Sequence, residues 1–176
     1  MWSVATRKAI VNAVGSGADA AMFDELAGRA ARSSDTAEKR SYLLATCRAL
    51  DTSVARRALE LSLTEAVPEQ LSSVMIAAVA DTHPELALDF ATARYNDIVP
   101  RLESFSRITY VPTLAAEGVD RTMEQKLVQF ADKQLGGQGV ETVERARSLI
   151  LYNDEVRRER LPQVDAWLQK NERQKQ

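Results

Sequence analysis

The 176-residue chain is poor in the residues that most often carry chemistry. It has one cysteine, Cys47, and one histidine, His83. A single cysteine rules out a disulfide framework within the chain and any cysteine-rich zinc module. A single histidine rules out the two-histidine zinc peptidase motif, and any Ser-His or Cys-His pair would have to be built on that one imidazole. Charge of either sign is also not in excess: 23 Lys and Arg stand against 25 Asp and Glu, a formal charge of −2. Bulk electrostatics therefore give no case for nucleic acid or an anionic membrane as partner. No apolar run approaches the roughly 20 residues of a membrane span, and the opening Met1–Thr6 stretch has no secretory apolar region.

Glycine (7) and proline (5) are scarce, while alanine occurs 26 times and leucine 18 times. Alanine and leucine enter a helix at little cost and glycine and proline at the greatest, so composition leans all-α. Periodicity agrees. Met22, Phe23, Leu26 and Ala30 share one side of a helix over Asp19–Ala31, and Val54, Ala58 and Leu61 recur at i, i+4 and i+7 after Asp51. Ser3–Val14 reads as a helix stopped by Gly15-Ser16-Gly17, and Thr36–Leu50 as another. Pro68 and Pro84 suit first-turn positions. Leu102, Phe105, Ile108 and Val111 suggest a helix broken by Pro112. Asp120 precedes an amphipathic segment with Met123, Leu127 and Phe130, and Gly136-Gly137-Gln138-Gly139 is the strongest interruption. Val140 to about Arg160 forms one charged helix with Val143, Ala146, Ile150 and Asn153 along a stripe. Leu161-Pro162 restarts a last helix, and the tail from about 171 to 176 frays. No stretch alternates with the period of a strand.

These segments group in pairs beginning near Ser3, Asp35, Glu69, Ser104 and Val140, at intervals of about 32 to 36 residues. That predicts a single all-α domain over 1–176, an α-solenoid of about five HEAT- or armadillo-like hairpins. A tetratricopeptide array has a similar period, but its motif residues are not in register here.

Individual residues offer little chemistry. His83, before Pro84, reads as a residue at a helix start rather than a general base. Cys47, in an apolar helix, reads as a buried small side chain rather than a nucleophile. The two glycine clusters lack the strand and the Lys-Ser/Thr of a phosphate loop. Trp167 and Leu168 read as a contact that closes the core. Arg101, Arg107 and Tyr110 fall in the irregular fourth pair, where departures from regularity tend to mark functional surface.

Three segments, in order, carry a resemblance. Ala58–Gln70 runs Ala-Leu-Glu-Leu-Ser-Leu into a proline turn. His83–Phe90 follows with His-Pro-Glu-Leu-Ala-Leu-Asp-Phe. Glu141–Asn153 is an arginine-bearing helix ending in Tyr152-Asn153, and Ala166-Trp167-Leu168 lies beyond it. This succession resembles the C-terminal helical domain of aminopeptidase N-type zinc metallopeptidases, the endoplasmic-reticulum aminopeptidase-like domain. Members often carry an aromatic after the late asparagine, where this chain has Val156, and no H-E-x-x-H is present.

The resemblance implies a C-terminal portion of a larger enzyme. It would be a lid controlling substrate access to a zinc-dependent aminopeptidase, with zinc held elsewhere and no catalytic or metal-binding residue in this chain. Its partners would be the catalytic domain of the same polypeptide and the peptide substrate. Arg107 and Tyr110 are the candidate substrate-facing residues, placed by the irregular pair and not by a family match. The alternative is a free-standing helical-repeat adaptor that binds a peptide or protein.

Overall fold

The computed structural model describes residues 3–173, and among them every regular element is helical. The helices are α1 (Val4–Ser16), α2 (Ala20–Arg32), α3 (Thr36–Thr46), α4 (Thr52–Ser62), α5 (Glu69–Ala80), α6 (Pro84–Ala93), α7 (Tyr95–Ile98), α8 (Tyr110–Ala115), α9 (Arg121–Phe130), α10 (Val140–Glu155) and α11 (Leu161–Arg173). Their starts are set locally. The side chains of Ser3, Asp19, Asp35, Asp51 and Asp120 each accept a hydrogen bond from a free backbone N–H of the first turn, satisfying donors that have no partner within the helix. Pro84 occupies the first turn of α6, where its missing N–H costs nothing.

The chain divides into two compact units, Met1–Arg107 and Ile108–Gln176. In the first, α3 packs against α1 and α2, and α5 packs against α3, α4 and α6. Leu43, Val54, Leu59, Met75, Ile76, Val79, Leu88 and Ile98 fill the space between these helices. Gly15 lies within α1 and does not end it, contrary to the sequence reading. The helix runs on through Ser16 to a cap at Gly17. A Cβ on Gly15 would overlap the carbonyl oxygen of Ala45, so glycine is required there for α1 to approach α3.

The segment after α7 also departs from expectation. Leu102, Phe105 and Ile108 do not share a helix. Pro100 cannot donate to the preceding turn, and the chain passes through two short 3₁₀ turns, Val99–Arg101 and Ser104–Ser106. Leu102 is buried, whereas Phe105 is 80% exposed.

In the second unit α8, α9 and α10 pack against one another. Val111, Leu114, Met123, Leu127, Phe130, Val143, Ala146 and Ile150 form the core. A π-helical stretch, Ala131–Leu135, extends α9 to the glycine turn, in which Gly136, Gly137 and Gly139 all have positive φ. The expected restart at Leu161-Pro162 is absent. A second π-helical stretch, Val156–Arg160, joins α10 to α11 with right-handed helical backbone at both ends. The widened turn lies where Pro162, which cannot donate to a normal helical ladder, would otherwise force a break. The tail expected to fray at 171–176 is helical to Arg173, and 174–176 lie outside the described residues. No helix among the described residues is long and apolar enough to cross a membrane.

Candidate functional site

The irregular segment from Tyr95 to Arg107 is fixed by hydrogen bonds. Arg101 donates through Nη1 to Ser72 Oγ (3.0 Å) and through Nη2 to the Leu63 carbonyl (2.8 Å), tying the segment to α5 and to the end of α4. That arginine is used up by structure. Arg94 is likewise engaged, with Asp97 at 2.6 Å and Glu60 at 3.3 Å.

Arg107 differs. Its Nε reaches the Leu102 carbonyl at 3.4 Å, and its own carbonyl accepts from Tyr95 Oη at 3.0 Å. No carboxylate among the described residues lies against its guanidinium, and the residue is exposed. The backbone is thus held while a cation faces solvent, with the exposed Phe105 ring two residues before it. A guanidinium so placed can donate charge-assisted hydrogen bonds to a carboxylate. Sequence reading nominated Arg107 and placed Phe105 on a helical apolar face, whereas the ring is exposed.

Tyr110, the other nominated residue, opens α8 in the second unit. It is half-buried, and burial raises its phenol above the ordinary range, so it stays protonated at any physiological pH. The remaining reactive side chains serve the fold. His83 stands at the start of α6 with Nε2 2.8 Å from the Ala49 carbonyl. Cys47 is fully buried, its Sγ 3.4 Å from the Leu43 carbonyl, and burial pushes its thiol up to about 12. It therefore supplies no thiolate near neutral pH.

The donor set does not fit a zinc site. The one imidazole is bound to a carbonyl and the one thiol is inaccessible. No group of three or more His, Cys, Asp or Glu side chains that could hold a metal occurs among the described residues.

The late helix carries the residues that sequence reading singled out last. Asn153 donates through Nδ2 to the carbonyls of Gly118 (2.9 Å) and Ala116 (3.5 Å), closing the end of α8 onto α10. Beside it Asp154 is buried, with Arg121 and Arg158 each 3.5 Å from its Oδ2. Trp167 and Leu168 do not close a core. Trp167 is 63% exposed and, with Arg160, Gln163 and Val164, lines an open groove of about 360 Å³ on α11. The sequence showed an apolar stripe there but carried no signal that nothing covers it.

Among the described residues the fold is all-α, and the late asparagine is spent on a tie between helices. Residues 4–152 match the family described as the ERAP1-like C-terminal domain, and the chain belongs to that family. The match ends before the second π-helical stretch and α11. No curated protein matches the sequence.

Proposed function

We propose that the chain is the C-terminal lid of a zinc-dependent aminopeptidase that removes N-terminal residues from peptides. Its family membership over residues 4–152 carries this reading. Zinc and the water it activates belong to a catalytic domain elsewhere in the same polypeptide. This chain contributes a wall that limits access and holds the part of the peptide beyond the scissile bond. Arg107 receives a peptide carboxylate, with Phe105 beside it for an apolar side chain. Tyr110, half-buried and protonated, is the second candidate contact.

The parent gene tests the frame of this proposal: H-E-x-x-H with a downstream Glu is expected upstream, and its absence overturns the lid. In the whole enzyme Arg107→Ala should raise KM for peptides several-fold and leave an aminoacyl chromogenic substrate, which has no distal carboxylate, unchanged. Equal loss on both substrates removes Arg107 from peptide binding. The isolated chain with added zinc should not turn over the chromogenic substrate, and turnover lost on His83→Ala would refute the proposal.

The adaptor alternative draws on the bare stripe of α11. It is favoured only if the gene holds no peptidase motif and a peptide binds the 176-residue chain.

A further inference from the structure

The second π-helical stretch sets register as well as joining α10 to α11. Leu161 N–H donates to the Val156 carbonyl, five residues back in place of the four of an α-helix. Apolar residues step along the outer side of the run in the same way. Leu149, Tyr152 and Val156 are spaced by three and four residues, Val156 and Leu161 by five, and Leu161, Val164 and Leu168 again by three and four. In an unbroken α-helix the step of five would swing Leu161 about 140° off the line. The wider turn lodges the additional residue, so all six side chains keep to one side.

That side is open. Val156 is half-buried and the other five are exposed, as is every residue from Leu161 to Lys170. The buried stripe of α10 that meets α8 and α9 runs through Ile150, about 100° around the helix from Leu149. A seam spaced by three and four residues, about 28 Å long from Leu149 to Leu168, is the pattern by which one helix packs along another, knobs into holes. Of its six members only Leu149 and Tyr152 fall within the residues that match the family.

Charge at the edges of the seam selects the occupant. Leu161 and Leu168 take the a positions of a seven-residue repeat and Val164 the d position, with Arg160 at g and Asp165 at the following e. In a parallel pair of identical helices, g of one faces the next e of the other. Arg160 then meets Asp165 of the second copy, and twofold symmetry makes the contact twice. Arg160 holds Glu155 through Nη2 at 3.0 Å, and its other N–H groups suit a second carboxylate. An antiparallel pair that layers Val164 on Leu168 sets the two Asp165 carboxylates against each other instead. A lipid surface fits less well, because α11 has two basic and two acidic residues and no cationic excess.

We infer that this seam pairs two copies of the chain as a parallel, two-stranded dimer through α11 and the end of α10. Contact along one helix of this length stays at the small end of protein interfaces, about 1,200 Å² or less in total, so the dimer is reversible and dissociates on dilution.

Sedimentation equilibrium of the 176-residue chain from micromolar to millimolar concentration tests it, with a monomer–dimer equilibrium expected. Val164→Glu should weaken the dimer by about tenfold or more, because a charge enters the d layer, while far-ultraviolet circular dichroism and the urea midpoint hold. Asp165→Arg should weaken it several-fold by setting an arginine against Arg160, and Arg160→Asp/Asp165→Arg should restore it. Val164→Cys should give a covalent dimer under air oxidation, since a parallel pair brings the two d residues into one layer. Cys47 is fully buried and stays out of that reaction. A chain that remains monomeric throughout, or a dimer that Val164→Glu leaves intact, would overturn the inference. So would a dimer that Asp165→Asn tightens, which is the antiparallel result, or binding to phosphatidylcholine–phosphatidylglycerol vesicles without dimerisation. The inference is independent of the peptidase reading: a dimer from a gene without H-E-x-x-H upholds the first and removes the second.

Discussion

Helices α10 and α11 are two stretches of one continuous helical run, and they have opposite fates. α10 buries Val143, Ala146, Ile150 and Asp154 along a stripe against α8 and α9. α11 carries an equally regular stripe, Leu161, Val164 and Leu168 with Trp167 beside it, and every one of those side chains is exposed. Periodicity therefore identifies which face of a helix is apolar. Whether that face is covered depends on a partner at the right distance, and no local pattern encodes that. The stability of the second unit should accordingly sit in the first half of the run.

The largest effect that separates the halves is expected at Ile150, which is fully buried. Ile150→Ala should cost about 3 kcal/mol, lost transfer energy plus a residual cavity, as read by urea unfolding followed by far-ultraviolet circular dichroism. Val164→Ala on α11 should stay within about 0.5 kcal/mol. Comparable losses at both positions would break the comparison.

Next comes the entry to α10. Gly139 has φ +68°, and an added Cβ would overlap Ile108 Cγ2, so Gly139→Ala meets both a left-handed backbone and a clash. The expected cost is about 2 kcal/mol. Gly136 has φ +54° with open space around it. Gly136→Ala should lose only about 1 kcal/mol, from backbone strain alone. If the two variants unfold at the same urea midpoint, the contact with Ile108 does not help to seat α10.

A smaller effect is expected at Asn153. Asn153→Ala removes the two bonds to Gly118 and Ala116 and leaves those carbonyls to water, at about 1 kcal/mol. Asn153→Asp should cost more than Ala at neutral pH, because a carboxylate cannot donate and would face the same carbonyl oxygens. A milder loss for Asp than for Ala would show that the amide is not the tie.

Much of the fold could be read from the residues. The all-α class followed from alanine and leucine content and from apolar spacing, and the cap at Asp51 stood where a side-chain oxygen precedes an amphipathic stretch. What could not be read was tertiary. Gly15 resembles a helix stop until Ala45 is seen beside it, and Phe105 resembles a core aromatic until Pro100 turns the chain into 3₁₀ geometry. Pro162 resembles a helix start because a widened turn just before it leaves no mark in the sequence. At the candidate site, Arg107 was found through irregularity. Its separation from Arg101 rests on reach: Arg107 has one long bond to the nearby Leu102 carbonyl, whereas Arg101 is engaged through both Nη atoms with Ser72 and Leu63, which lie far off in the chain.

Trp167 should give the smallest effect and bears most directly on the contrast between the halves. Its ring is 63% exposed, so replacement removes little buried area, and Trp167→Ser should change the unfolding free energy by less than about 0.5 kcal/mol. Serine and tryptophan have about the same helix propensity, so the exchange adds nothing on that account. Solubility should respond more than stability, because an apolar stripe on a bare helix promotes association and its largest member would be gone. The expected result is an unchanged urea midpoint together with reduced self-association at high concentration, measured by sedimentation. A loss above about 1 kcal/mol would mean that α11 folds back onto apolar surface in solution, and the division of this helical run into a packed half and a bare half would no longer hold.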